Sequence, residues 1–182
     1  MKPSSIPGRP ARFLATLAFL SVLVPAAQGA WYAKFDGVDG SSKHKDQGGW
    51  CKIVRFSNEL TRSEPDSPGQ PATIEFGDFV LVKESDKATP KLMQSCAEGT
   101  HLAQIEFEIV CIEENAAGEA TPVCYLKYKL ERCFIKSWSV SGDADERPTE
   151  ELRITFENLE VVAPDPETPD GPVATLSARV TE

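Results

Sequence analysis

The sequence contains little histidine: only His44 and His101 occur among its 182 residues. His44 lies in a polar stretch that predicts an exposed loop. His101 begins a strand directly after a predicted helix. There it either pairs with the Cys96 thiol or packs at the helix end, and packing is the simpler interpretation. Motifs of the Gly-x-Ser-x-Gly, P-loop and His-Glu-x-x-His types are absent as well, so no catalytic residue is predicted.

Signals for metal and nucleic acid are also missing. No two of the five cysteines have Cys-x-x-Cys spacing, which together with the scarce histidine predicts no zinc site and no bound cofactor. The 19 basic residues stand against 28 acidic ones, giving a formal net charge of −9. Because such a chain repels phosphate backbones and shows no basic stripe, nucleic acid is not an expected partner.

No apolar run is long enough to cross a membrane as a helix. The run at residues 13–24 has about twelve residues, against about 20 for a spanning helix. Basic residues precede it and small residues follow it, which is the pattern of a secretory signal peptide. We therefore predict a signal peptide over residues 1–30 and a secreted or periplasmic protein, with an uncleaved N-terminal anchor as the alternative.

Residues 86–101 predict one short helix within an otherwise strand-rich chain. Thr89 is the expected N-cap, Pro90 occupies the first helical position, and Gly99 supplies the left-handed residue that ends the helix. A narrow apolar stripe on this helix is expected to plug a sheet or barrel. The members of the stripe are Leu92, Met93 and Cys96.

Period-two alternation predicts strands along most of the remaining chain. The predicted strands cover residues 31–35, 50–56, 73–76, 79–83, 102–112, 124–130, 133–140, 152–162 and 173–180. In the second strand Trp50, Val54 and Phe56 are expected to share one face. A loop is expected at 58–71, and the alternation slips near Asn158, as it does at a β-bulge.

The strongest alternation belongs to two successive strands and predicts that they pair as an antiparallel hairpin. Glu106 and Glu108 face solvent on the first strand and Lys127 and Lys129 on the second, so opposite charges can pair. The inward faces consist of Ile105, Phe107, Ile109 and Cys111 on one strand and of Cys124, Leu126, Tyr128 and Leu130 on the other. Such one-sided strands predict a sheet that covers a core.

Together these signals predict a mainly β protein with a single domain. Residues 31–162 form a small β-barrel or sandwich with one helix, and about 130 residues suffice to bury one core. Residues 163–182 form a linker rich in Pro and Asp, with room for one last strand.

Export makes disulfides available to the cysteines. Cys111 and Cys124 are predicted on the inward faces of the hairpin near its connecting end, so we expect a cross-strand disulfide that contributes about 2–3 kcal/mol. The alternative is a pair of thiols that pack without bonding. Cys51 with Cys133 is a second candidate pair, and Cys96 is the expected unpaired thiol.

Residues 86–93, 95–96 and 99–101 resemble the Hcp (haemolysin-coregulated protein) family, which forms the inner tube of type VI secretion systems. Its members carry a similar D-K-(S/A)-T-P-x-L opening, a cysteine and a G-x-H in that order. The matching positions of this chain are Asp86, Lys87, Thr89, Pro90, Leu92, Cys96, Gly99 and His101. Further similarity to the family's first strand, a late strand and the lead-in to its last strand lies at residues 35–42, 150–156 and 170–173.

The resemblance implies a compact two-sheet β-barrel with one short α-helix, homohexameric rings that stack into a tube, and a structural role as conduit and effector carrier. It implies no catalytic residue and no cofactor, and it suggests residues 58–70 as an arm between rings. The signal peptide departs from the family, whose members are loaded from the cytoplasm. Two alternatives stay open: a stand-alone exported module that binds an envelope partner or assembles at a surface, and an exported hydrolase that uses barrel carboxylates.

Overall fold

The computed structural model describes residues 29–63, 73–114, 120–164 and 174–179. Its strands are β1 (Ala30–Phe35), β2 (Cys51–Ser57), β3 (Leu60–Ser63), β4 (Thr73–Phe76), β5 (Phe79–Glu84), β6 (His101–Glu114), β7 (Ala120–Ser141), β8 (Thr149–Thr155), β9 (Asn158–Ala163) and β10 (Ala174–Arg179). The helix α1 covers Thr89–Glu98. Nearly all of the predicted signal peptide and most of the predicted linker lie outside the described residues.

Six strands close into an antiparallel barrel. β7, β6, β1, β2, β5 and β8 pair in that order, and β8 returns to pair with β7. β9 pairs with a middle stretch of β7 and β10 pairs with β9, which extends the sheet beyond the barrel. β3 and β4 form a separate two-stranded sheet. The predicted fold, a β-barrel of two sheets with one short helix, is confirmed.

Apolar side chains that alternate along the strands fill the barrel. The fully buried members of this core are Ala33, Phe35, Cys51, Phe79, Leu81, Ala88, Leu92, Ile105, Phe107, Leu130, Cys133, Ile135, Leu152 and Ile154. Leu92 comes from α1, which packs against β7. The helix therefore closes the core, as the sequence predicts.

Strand β7 runs unbroken from Ala120 to Ser141, so the prediction of two separate strands at 124–130 and 133–140 is wrong. Arg132 has a positive φ of 55°, and this left-handed residue bends the chain without ending the strand. Beyond the bend β7 exchanges its partner β9 for β8. One strand thereby belongs to both the barrel and the outer sheet.

The predicted face of β2 is wrong for Trp50 and Val54. Val54 is 49% exposed, and Cys51 and Ile53 point into the core instead. The register shifts just after Ile53, which brings Phe56 back against the core. A bulge reverses the alternation of a strand, so a period-two pattern that places Phe56 correctly assigns Trp50 and Val54 to the wrong face.

Two further boundaries differ from the sequence-based expectation. β3 lies where the sequence predicts a loop over 58–71, because pairing with β4 stabilises a strand whose side chains are all exposed. The remainder of that loop, from 64 onward, lies outside the described residues. The predicted strand 152–162 is two strands, β8 and β9, which separate just before Asn158.

Gly40 lies where the loop after β1 passes the start of β2. A Cβ atom at this position would lie 2.3 Å from the Trp50 carbonyl carbon and 2.5 Å from the Cys51 backbone nitrogen. Because backbone atoms cannot rotate away, we expect Gly40→Ala to lower the free energy of unfolding by about 2 kcal/mol or more, measured by urea denaturation. Gly48→Ala in the same loop is the control, since its nearest atom would be 3.5 Å away. An equal loss in both variants would contradict the close approach.

Candidate functional site

Helix α1 begins with hydrogen bonds made by Asp86 and Thr89. The Asp86 backbone N–H donates to Thr89 Oγ1 at 3.0 Å, and the Ala88 N–H donates to Asp86 Oδ1 at 3.0 Å. Ala88 precedes the helix with helical dihedral angles and no side-chain cap, and Pro90 lies in the first turn as predicted. The prediction that Thr89 is the N-cap is wrong, because Thr89 is itself helical and Asp86 supplies the acceptor for a backbone N–H at this end.

The end of the helix follows the sequence prediction. Gly99 has a φ of 66°, and its N–H donates to the Ser95 carbonyl. Leu92 and Ser95 are buried and Cys96 is half buried, whereas Met93 is 50% exposed. The apolar stripe therefore includes Leu92 and Cys96, and its predicted extension to Met93 is wrong, since Met93 lies one residue off the buried face.

Beneath the start of the helix lies a charge cluster formed by Lys83, Asp86 and Glu150. Lys83 Nζ is 2.8 Å from Asp86 Oδ1 and 3.3 Å from Glu150 Oε2. The side chains of Lys83 and Glu150 are fully buried, and that of Asp86 is 7% exposed. Lys83 also donates to the Glu84 carbonyl at 2.9 Å. Charges buried this deeply persist only when they are paired and hydrogen-bonded.

Two carboxylates face one ammonium in this cluster, and neutral donors stabilise the second negative charge. Thr89 Oγ1 and Trp138 Nε1 both donate to Glu150. The Ser41 N–H donates to Asp86 Oδ2 at 3.0 Å. The N-terminus of α1 adds the positive end of the helix dipole.

The charge cluster joins segments that are far apart in the sequence. Lys83 comes from β5, Trp138 from β7 and Glu150 from β8, while Asp86 precedes α1 and Ser41 belongs to the loop after β1. Because the ion pair of Lys83 and Glu150 is closed to solvent, a substrate has no access to it. The arrangement is a structural clamp between the helix, the loop and three barrel strands.

Two more residues of the sequence motif are exposed. Lys87 is exposed, and its backbone N–H donates to Ser41 Oγ at 3.3 Å. His101 is also exposed, and its ring centroid lies 5.4 Å from that of Phe134. Within the motif, Asp86 therefore belongs to the clamp and Leu92 to the core, while His101 packs on the ring of Phe134.

Sequence reasoning missed Lys83, Trp138 and Glu150. Alternation carries a usable signal for the two charged residues. Lys83 comes two residues after the buried Leu81, and Glu150 comes two residues before the buried Leu152. Each charge therefore occupies an inward position on its strand. No local pattern shows that the two inward charges meet.

The predicted hairpin of β6 and β7 is confirmed, with Glu106 opposite Lys129 and Glu108 opposite Lys127. Lys127 Nζ lies 3.1 Å from Glu108 Oε1. Lys129 instead pairs with Glu131 at 2.7 Å, and this hydrogen bond raises the pKa of Lys129 and lowers the pKa of Glu131. The two rows form a charged outer face on the barrel.

All five cysteines are free thiols in the structure. Cys51 and Cys133 are fully buried, and burial raises the pKa of each thiol to about 12. Cys51 also faces Asp86 of the charge cluster, whose negative charge and hydrogen bond raise that thiol's pKa further. The second candidate disulfide, between Cys51 and Cys133, stays a prediction.

The register of the hairpin bears on the first candidate disulfide. Cys111 lies opposite Val123, and Cys124 lies opposite Val110, just past a register shift at Ile109. Because successive residues of a strand point to opposite faces, this register turns the two thiols away from each other. A bond between Cys111 and Cys124 therefore requires a local change of register at the bulge, and it stays a prediction.

Within residues 29–63, 73–114, 120–164 and 174–179, no group of three or more His, Cys, Asp and Glu side chains is arranged to hold a metal ion. In the same ranges no helix has the length and apolar character needed to cross a membrane. The fold is a closed β-barrel plugged by a helix. The buried charges of the clamp hold the helix, the loop after β1 and three barrel strands together.

The family model described as the type VI secretion system effector Hcp matches residues 32–162, which is more than two thirds of the chain. The protein belongs to the Hcp family, and the resemblance seen in the sequence motif is confirmed. Among curated proteins none matches the sequence.

Several solved structures share this fold. A type VI secretion system effector from Yersinia pestis is 23% identical, with a TM-score of 0.64 over 82% of this chain and 99% of that chain. Hcp1 from Salmonella typhimurium is 19% identical, with a TM-score of 0.66 over 84% and 94%. An Hcp1 protein from the E. coli EAEC 042 pathovar is 22% identical, with a TM-score of 0.66 over 85% and 99%. At these identities the likeness shows a common fold.

Removing the ammonium of the charge cluster should destabilise the whole domain. Lys83→Met leaves Asp86 and Glu150 buried without a counter-charge, so we expect urea denaturation to show a loss of about 3–5 kcal/mol. Lys136→Met is the matched control, because Lys136 pairs with Asp78 at 3.2 Å but is 60% exposed. That variant should lose less than about 1 kcal/mol. Similar losses in the two variants would argue against the clamp.

Alkylation of the native protein at pH 8 should leave Cys51 and Cys133 unmodified until denaturant is added, because both thiols are buried and protonated. Cys96, which is half buried on the helix, should react before these two. Burial raises the pKa of both thiols to about 12, against about 8.5 for a thiol in the unfolded chain. The free energy of unfolding, measured by urea denaturation, should therefore fall as the pH rises above about 8.5.

Non-reducing peptide mapping tests the predicted disulfide between Cys111 and Cys124. We expect peptide mapping of protein purified without reductant to recover Cys111 and Cys124 in one linked peptide. Recovery of both as alkylated thiols rejects it.

Proposed function

We propose that the protein is a non-catalytic structural subunit that forms homohexameric rings, stacks them into a tube and carries effector proteins in type VI secretion. The match of the Hcp family model to residues 32–162 carries this proposal, since it reaches all six strands of the barrel. The charge cluster supports the non-catalytic part of the proposal, because its buried ion pairs hold segments of the fold together.

Open strand edges and exposed apolar side chains support assembly. The β3–β4 hairpin stands outside the barrel, and β10 is the last strand of the outer sheet. Leu60 and Ile74 on the hairpin are 54% and 59% exposed, and Leu176 on β10 is 51% exposed. Unpaired edges with apolar side chains favour pairing with another chain. We assign the hairpin, which overlaps the arm predicted at 58–70, to contacts between rings.

The proposal includes the predicted signal peptide. This leader implies that the protein acts in the periplasm or outside the cell. It also motivates a second candidate function, a stand-alone exported module with the Hcp fold that binds an envelope partner or assembles at a surface. A leader that directs the chain to general export leads away from a machine loaded from the cytoplasm, and this observation favours the second candidate.

Light scattering after size exclusion separates the two candidates. For the protein without residues 1–30, in oxidising buffer, we expect a mass near six subunits, because ring formation is the property that defines a tube subunit. A clean monomer at micromolar concentration would reject the ring and favour the stand-alone module.

The hairpin contact has its own test. Ile74→Ser should weaken the stacking of rings seen by electron microscopy, because it removes an exposed apolar side chain from the proposed contact. Val140→Ser is the matched control, since Val140 is 50% exposed but lies on β7 of the barrel. Unchanged stacking in Ile74→Ser rules out this role for the hairpin.

A further inference from the structure

A polar cavity of about 360 Å³ lies on the outer face of the barrel, where the loop 41–50 covers β6 and β7. His44 and Gln47 line it from the loop, and Glu108 and Lys127 line it from the strands. His44, which composition places in an exposed loop, is half buried, with its ring 5.5 Å from that of Tyr32. The cavity is separate from the charge cluster.

Two buried polar atoms of this loop lack a hydrogen-bond partner: Gln47 Oε1 and His44 Nδ1. Gln47 is only 8% exposed, and its Nε2 donates to Glu108 Oε2 at 2.9 Å. Because an ionised carboxylate only accepts hydrogen bonds, Glu108 orients the amide and leaves Oε1 as the unsatisfied acceptor. A buried acceptor without a donor carries a free-energy cost that an incoming N–H relieves.

The charges around the cavity favour a cation. Glu108 and Lys127 in the lining pair with each other at 3.1 Å, and the carboxylate of Asp46 is the remaining charge of the lining. Lys43 and Lys45 on the same loop are exposed and lie outside its lining. A ligand that brings donors and positive charge therefore matches the site better than an anion does.

An aromatic side chain in the lining also favours a cationic ligand. The half-buried Trp50 lines the cavity, and an indole face attracts an ammonium or guanidinium group. Both groups carry several N–H donors and no acceptor, which is the complement of the unpaired acceptor Gln47 Oε1.

Hydrogen bonds hold this loop in place. At its base the Gly40 N–H donates to the Gly49 carbonyl at 2.6 Å and the Ser42 N–H donates to the Trp50 carbonyl at 2.9 Å. Within it the His44 N–H donates to Ser42 Oγ and the Trp50 N–H donates to the Gln47 carbonyl, both at 3.2 Å, so the backbone fixes His44 and Gln47 at the cavity.

We propose that this cavity binds an alkylammonium or guanidinium group, with Gln47 Oε1 and the Glu108 carboxylate as its acceptors. His44 Nδ1 is a third acceptor in the neutral tautomer that carries its proton on Nε2. The group belongs either to a free polyamine or to a Lys or Arg side chain of a partner protein. The proposal does not depend on ring formation, since every residue of the site belongs to one chain.

NMR titration of the purified protein with n-butylammonium tests the site, with neutral n-butanol as the probe without charge. We expect shifts in the backbone signals of His44 and Gln47 that butanol does not produce. Glu108→Gln and Gln47→Met should each weaken binding about tenfold, the size expected for one lost charge-assisted hydrogen bond.

Glu106→Gln is the matched control, because Glu106 lies on the same face of β6 and outside this cavity. It should bind as the unsubstituted protein does. Equal weakening in Glu106→Gln, or shifts spread over the whole acidic surface, would show general attraction to a chain of charge −9 and overturn the site. Unchanged binding in folded Gln47→Met would overturn it too.

The same titration distinguishes the two sources of the group. Spermidine binding more tightly than a Lys- or Arg-containing peptide points to a free polyamine, and the reverse order points to a partner protein. Failure of every amine to shift the loop signals rejects the proposal, whatever the mass of the assembly.

Discussion

The structure depends on one buried interaction, the pairing of the Lys83 ammonium with the carboxylates of Asp86 and Glu150. Replacing every member of such a buried cluster by apolar residues often leaves the free energy of unfolding unchanged. Net stabilisation therefore explains poorly why the cluster is present. Its geometry is more informative: a helix held only by apolar contacts can slide on its barrel. Here two carboxylates pair with one ammonium, and Thr89 and Trp138 donate to one of those carboxylates, Glu150, so the directions of several hydrogen bonds must be met at once. We infer that the cluster sets the position of α1 and of the loop after β1.

The second constraint is the closure of the barrel by β7. This 22-residue strand bends at Arg132 and pairs with β6, β8 and β9 along its length. Closure protects the edges of the six barrel strands and leaves β10 and the β3–β4 hairpin to present edges to a neighbour. In the proposed function, stability and assembly therefore depend on different strands, which suits a subunit that must fold before it joins a larger structure.

The clamp and the outer cavity are linked through one loop. Ser41, at the start of the loop 41–50, donates to Asp86 of the charge cluster, while His44 and Gln47 at its tip cover β6 and β7. The base of the loop is therefore rigid and its tip carries the unpaired polar atoms. One loop thus joins a motif residue that supports the fold, Asp86, to the cavity that we propose as a site for a cationic group.

The sequence by itself determined the local features: the end of α1 at Gly99, the β6–β7 hairpin with its Glu and Lys rows, and the motif that indicates the Hcp family. Each depends on residues close together in the chain or on simple alternation. Only the tertiary structure decided the pairing of Lys83 with Glu150, 67 residues apart, the faces of Val54 and Cys124, and the unbroken β7. The physical reason is that a bulge reverses every later side chain of a strand, and a buried charge is tolerated only where distant segments bring its partners.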